Sequence, residues 1–161
     1  MLCACSDGKA GTLPTTSPSL TSTTQSPSAT PTLNLRTSLE LALRTYFDAL
    51  YAAGLNPAEK TDDLAQLIDT TCECYRVVTV LREEAREGRS IDYTYTLQDL
   101  KVVAVDSRSG DVNYTVIRSA GAERDRSGRV IQEFPPTSEK YSARFGRAND
   151  RWLLQRLTRF Q

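Results

Sequence analysis

The sequence predicts an α+β domain in which three helices pack on a curved antiparallel sheet of about four strands, preceded by a disordered tail. Three observations carry this reading. Apolar residues recur at helical spacing as far as Gly88, they alternate as strands do from Ile91 onward, and residues 11–34 are dominated by Thr, Ser and Pro, with Pro14, Pro18, Pro27 and Pro31 spaced along them. Hydroxyl side chains compete for backbone hydrogen bonds and Pro removes donors, so this stem can neither form a ladder nor bury apolar area. The remainder, roughly 125 residues, is enough for one core.

Thr37-Ser38-Leu39-Glu40 has the form of a capping box and opens the first helix. On that helix Leu39, Leu43, Tyr46 or Phe47, and Leu50 share one side, Glu40, Arg44 and Asp48 another, and Gly54 marks a stop. Asn56-Pro57 restarts the chain with a capping residue and a Pro at the first helical position, and Leu64, Leu67 and Ile68 supply a short second apolar face. A further capping box, Thr70-Thr71-Cys72-Glu73, opens a third helix striped by Cys74, Val77, Val78, Leu81 and Ala85 and closed by Gly88. Residues 91–97 then alternate and continue into 100–105 past a polar break at Gln98-Asp99 that reads as a bulge. Turn signals at Ser109-Gly110-Asp111, Arg126-Ser127-Gly128 and Ala148-Asn149-Asp150 separate strands at 112–118, 130–134, 141–145 and 151–160, with Pro135-Pro136 interrupting the third run.

Composition removes whole classes of chemistry. Lysine and arginine number 20 against 20 acidic residues, so no long-range field recruits nucleic acid. The chain has no histidine. Without imidazole there is no His-activated nucleophile, no His general base and no His metal ligand. Carboxylates, Tyr, Lys and Cys are the titrating groups left, and no metal or other cofactor is expected.

At the N-terminus, Leu2-Cys3-Ala4-Cys5 followed by Ser6-Asp7 resembles the lipobox of bacterial lipoproteins. The resemblance implies that Cys5 carries a diacylglycerol on sulfur and that residues 1–4 are the remnant of a signal whose charged and apolar parts lie upstream. Residues 5–36 would then be the lipidated Cys and its tether, and residues 37–161 the domain. The competing reading takes Cys3 and Cys5 as chance cysteines of a cytosolic protein that begins at Met1.

The order of elements, the helix with Tyr46-Phe47-Asp48-Ala49-Leu50 and the closing Arg151-Trp152-Leu153-Leu154 resemble the nuclear-transport-factor-2-like, or cystatin-like, fold. With the lipobox, the stem, the paired cysteines and Glu133-Phe134-Pro135, the whole chain is similar to an actinobacterial lipoprotein family of unknown function. That family supplies no catalytic residues to transfer. The resemblance implies a cell-membrane protein, anchored by lipid on the extracytoplasmic face; with no histidine to do acid–base work, the first reading of its domain is a non-catalytic binder of a small molecule or a protein. An enzyme using the pocket of the fold is the alternative.

Four groups of residues remain as candidates. Cys72 and Cys74 either form a local disulfide or stay as inert thiols, because i and i+2 diverge on a regular helix while angles at a helix entrance are free; a redox role rests only on the helix N-terminus. Tyr46, Tyr93, Tyr95 and Tyr114, joined by Tyr141, either line a pocket or are ordinary packing aromatics. By analogy with related folds that isomerise steroids, Asp48 beside Tyr46 or Tyr95 would be an acid–base pair. Lys140, Arg144, Arg147, Arg151, Arg156 and Arg159 crowd the last hairpin, either as a solvated face or as a surface for anionic headgroups.

Overall fold

The computed structural model describes residues 30–160, with side chains from Asn34 onward. Three helices, α1 (Thr30–Leu55), α2 (Pro57–Ala65) and α3 (Arg76–Glu87), precede seven strands. These are β1 (Ser90–Ile91), β2 (Tyr95–Val105), β3 (Ser109–Arg118), β4 (Gly121–Arg124), β5 (Val130–Phe134), β6 (Thr137–Ala148) and β7 (Arg151–Arg159). The four long strands form one antiparallel sheet in the order β2-β3-β6-β7, and the three short ones a second sheet in the order β1-β4-β5. The α+β architecture read from the sequence is the one observed.

The first helix does not start at Thr37. It begins at Thr30, which puts Thr37 and Glu40 inside the helix and leaves no capping box there. Tertiary contacts override the local signal. Leu35 extends the apolar stripe one turn upstream and packs against the core, and Arg36 Nη1 reaches the Val102 carbonyl at 3.4 Å. Downstream, Leu39 and Leu43 are fully buried together with Phe145, Leu154 and Val112 on the inner face of the large sheet. The Trp152 indole nitrogen, at the same end, donates to Ser38 Oγ at 2.7 Å, tying β7 to α1.

Asn56 does precede a helix with Pro in its first turn, and its carbonyl accepts from the amides of Glu59 and Lys60. Leu67 and Ile68 are not helical. Leu154 donates its amide to the Leu67 carbonyl and accepts from the Asp69 amide, both at 2.9 Å, so residues 67–69 lie along the outer edge of β7 and cover its middle. Asp69 also displaces the second capping box, because its Oδ1 takes the Thr71 amide at 2.9 Å and the Thr71 hydroxyl at 2.8 Å. The chain then makes a 3₁₀ turn, Glu73–Tyr75, before α3, and Gly88 closes α3 in the left-handed region at φ 69°.

The run from Ile91 to Leu97 is broken where one continuous strand was expected. β1 ends at Ile91, and Asp92 turns the chain from the small sheet to the large one by accepting the Ala122 amide and Arg124 Nε (2.8 Å) on its carboxylate. These two donors, Arg124 first, hold its pKa below the usual carboxylate range. Arg89, just after α3, pins the small sheet from the other side through ion pairs to Glu87 and to Glu123 of β4 (3.0 Å). The bulge expected at Gln98-Asp99 is present as a register shift between Gln98 and Lys101, with Asp99 at φ 52° and its Oδ2 accepting from Thr115 Oγ1 at 3.0 Å. Bulges of this kind bend a strand and add twist, here at the edge of the large sheet.

The crossing at Asp92 needs a glycine opposite it. A Cβ on Gly121 would meet Tyr93 Cβ at 2.6 Å and the Asp92 carbonyl oxygen at 2.7 Å, and neither atom is free to swing aside. Gly121→Val is expected to destabilise the domain by about 3 kcal/mol, the upper range for overpacking. Chemical denaturation followed by circular dichroism reads this, and an unchanged midpoint would show that the two sheets are not held at this crossing.

Candidate functional site

Inner-face positions of β3 and β6 continue outward from the core with period two. Val112, Tyr114, Val116 and Arg118 follow one another on β3, and Phe145, Ala143, Tyr141, Glu139 and Thr137 run back along β6. Their register places Tyr114 opposite Tyr141, Val116 opposite Glu139 and Arg118 opposite Thr137, while Tyr95 of β2 faces Arg118 from the other side. α1 crosses over these rows with Tyr46, Phe47 and Leu50. Between them lies a cavity of about 180 Å³, completed by Leu157 of β7.

Aromatic edges and faces hold its walls. Phe47 meets Tyr46, Tyr95 and Tyr114 edge-on with ring centres 5.2, 5.2 and 5.7 Å away, and Tyr114 stacks on Tyr141 at 6.0 Å. Tyr46 and Tyr114 are each only 3% exposed. The Tyr114 hydroxyl is buried and has no hydrogen-bond partner among the described residues. Tyr141, by contrast, donates to Glu139 Oε2 at 2.5 Å, and Arg159 closes on the same carboxylate at 3.1 Å.

Burial raises the pKa of all four phenols. For Tyr46, Tyr95 and Tyr114 desolvation is the first cause, and each is raised further by neighbouring phenols: Tyr141 and Tyr93 act on Tyr46, Tyr93 and Tyr46 on Tyr95, and Tyr46 and Tyr141 on Tyr114. Tyr141 is pushed up to about 12 by desolvation, then by its hydrogen bond to Glu139 and that carboxylate's charge. The cavity therefore presents protonated hydroxyls, which can donate.

Four of the five tyrosines singled out in the sequence, Tyr46, Tyr95, Tyr114 and Tyr141, come together here. Tyr93 does not line this cavity; it lines a neighbouring groove of about 140 Å³ with Tyr51, Val77, Val80 and Ile91, on the far side of a wall made by Leu50 and Tyr95. Asp48 is exposed on α1, so no acid–base pair forms with Tyr46 or Tyr95. The reason is helical geometry, since residues two apart point away from each other. Arg118, Thr137 and Glu139 were not singled out by sequence. Extending the alternation Phe145-Ala143-Tyr141 back by two steps, and Tyr114-Val116 forward by one, would have found them.

The remaining candidates lie apart from the cavity. The Cys72 and Cys74 sulfurs are bonded, with Cα atoms 5.0 Å apart. They sit in the 3₁₀ turn, not on a regular helix, and Cys72 is extended (φ −71°, ψ 134°) with its sulfur accepting the Cys74 amide at 3.1 Å. Cys3 and Cys5 fall outside the described residues. Of the basic group on the last hairpin, Arg144, Arg147 and Arg159 are paired with Asp111, Asp150 and Glu139. Among the described residues, no three Asp, Glu or Cys side chains converge as a metal site would need.

No protein-family model matches the chain. No curated protein matches it either. Solved structures do. The intermembrane-space region of the chloroplast protein ARC6 aligns with a TM-score of 0.60 at 16% identity, over 78% of this chain and 95% of that one. An uncharacterised Caulobacter vibrioides protein with a cystatin-like fold gives 0.54 at 12% identity, over 80% and 91%. The association domain of C. elegans CaMKII gives 0.54 at 14%, over 80% and 97%. At such identities the likeness concerns the fold alone, and the fold is nuclear-transport-factor-2-like, or cystatin-like.

The phenol shifts have a pH consequence. Each of the four holds its proton more tightly folded than unfolded, so their contribution is intact below the unfolded value of 10.0 and is lost as pH rises above it, through about 12 for Tyr141. The thermal midpoint is expected to fall steeply with alkaline pH beyond 10, and Tyr141→Phe to make that fall shallower. A midpoint flat across this range would mean the phenols are solvated.

Proposed function

We propose that the protein is a lipoprotein held at the outer face of a cell membrane through a lipid on Cys5, and that its domain binds a small molecule in the tyrosine-lined cavity. One observation carries the binding half: the hydroxyl of Tyr114, buried at the wall of a cavity and unpartnered. A buried hydroxyl without a hydrogen bond costs about 1–3 kcal/mol, whereas Phe in its place costs nothing of the kind. A group left in that condition is a donor kept for something that enters.

Binding is favoured over catalysis by the state of the carboxylates. Glu139 lines the cavity, but Tyr141 and Arg159 already occupy it, and Asp48 is outside. No remaining acidic side chain in the lining is free to take a proton. The anchoring half is supported by the lipobox-like Leu2-Cys3-Ala4-Cys5 and by the Thr/Ser/Pro stem behind it. Among the described residues no helix is long and apolar enough to cross a membrane. A lipid is what would hold the domain; one acyl chain binds marginally and two hold firmly, at about 0.8 kcal/mol per buried methylene.

Each half has its own test. Tyr114→Phe is expected to raise the stability of the unliganded domain by about 1 kcal/mol and to weaken the small molecules that ligand-observed NMR detects on the native protein. Loss of stability with unchanged binding would mean that the hydroxyl is structural. For the anchor, mass spectrometry of protein expressed from its full reading frame in its own host should find a lipid on Cys5, and Cys5→Ser should release the protein from membranes. A bare thiol on a freely soluble protein would remove the anchor and leave the cavity reading standing.

A further inference from the structure

Arg118 lines the same cavity and has no carboxylate to balance it. Its Nη2 donates to the Pro135 carbonyl at 3.3 Å, and its guanidinium lies 4.9 Å from the Tyr93 ring centre and 5.7 Å from that of Phe134. Among the described residues no acidic group lies within ion-pair distance of it, while Arg124, Arg159 and Arg89 each hold at least one. Its Nε, like the Tyr114 hydroxyl, is buried without a hydrogen-bond partner among the described residues. Both are donors and both residues line one cavity. A buried donor calls for an acceptor, and a half-buried guanidinium without a carboxylate at its side is suited to an anion.

We propose that the ligand is a compact organic monoacid, its carboxylate received by Arg118 and its apolar body held by Phe47, Leu50 and Leu157, with the Tyr114 hydroxyl a separate donor along the same wall. This rests on the cavity being a ligand site. Size favours a small guest: about 180 Å³ lies below the roughly 300–1,000 Å³ of pockets that take drug-sized ligands, which suits a benzoate-like acid. Charge sets the class. Glu139 is neutralised by Arg159, which leaves Arg118 as the one unbalanced charge among the lining residues, matched by a single carboxylate and not by a dianion. Selectivity against the neutral amide follows, because only the acid answers the guanidinium.

Titration calorimetry of the full chain with three compact acids (benzoate, phenylacetate and cyclohexanecarboxylate), their neutral amides and benzylamine tests the assignment. At least one acid is expected to bind tenfold or more tightly than its amide, with benzylamine undetectable. Arg118→Gln should abolish that preference while the amide still binds. Arg118→Lys, which keeps the charge and loses Nε, should retain part of it, and circular dichroism of both variants checks that they fold. Amides binding as tightly as acids, or Arg118→Gln keeping the preference, would overturn the acid assignment with the cavity reading intact. If no member of the panel binds, that reading falls with it.

Discussion

One helix has to close one sheet, and it does so with two kinds of side chain. Along the first half of α1, Leu35, Leu39 and Leu43 meet Val112, Phe145 and Leu154, and the contact is aliphatic and tight. One turn further the helix presents Tyr46 and Phe47, and the sheet answers with Tyr95, Tyr114 and Tyr141. Large flat rings span the gap between helix and sheet without filling it, because they prefer offset and edge-on contacts over dense interdigitation. The same packing interaction thus produces a core at one end and a cavity at the other. Everything proposed about function depends on that change along a single helix.

The rings bring a second constraint with them. Every phenol ends in a group that must find a partner or bear the cost of lacking one, and in a low-dielectric interior that cost is high. Tyr141 is satisfied by Glu139, which in turn is held by Arg159, so three residues from two strands form a closed polar unit at the rim. Tyr95 meets the Tyr93 ring edge-on at 5.3 Å at the wall between cavity and groove. The Tyr114 hydroxyl, fully buried, is left without a partner among the described residues. The desolvation that raises these pKa values is also what keeps the hydroxyls neutral, so the polarity of the cavity is that of donors held in place, with unbalanced charge confined to Arg118 at its edge.

Much of this was legible in the sequence, and the failures share a cause. Element types, the turn at Asn149-Asp150, the bulge at Asp99 and the stop at Gly88 follow from patterns a few residues long, and local patterns decided them. What could not be read was set by contacts distant in sequence. The capping box at Thr37 loses to Leu35 and Arg36 contacting the sheet, and that at Thr70-Thr71 loses to Asp69, itself fixed by Leu154. The strand from Ile91 is cut by Asp92 answering Ala122 and Arg124, in a segment (β4) too short to show a period of its own. For the cavity, tyrosines drew attention because aromatic residues are conspicuous, whereas Arg118, Glu139 and Thr137 lay on flanks that looked like ordinary polar strand ends.

That last omission bears on what the cavity is for. A pocket of aromatic walls alone would accept any apolar body of the right size, since ring faces and edges discriminate weakly between neutral guests. Polar residues at strand ends change the problem, because they decide which end of a guest goes where. Glu139 is already spoken for and Thr137 is short, so the asymmetry comes from Arg118, which is held on the aromatic faces of Tyr93 and Phe134 and fixed by the Pro135 carbonyl. These anchors come from the chain segment at the sheet switch and from the end of β5, so the small sheet has a use beyond closing the domain. It positions the one unbalanced charge of the cavity.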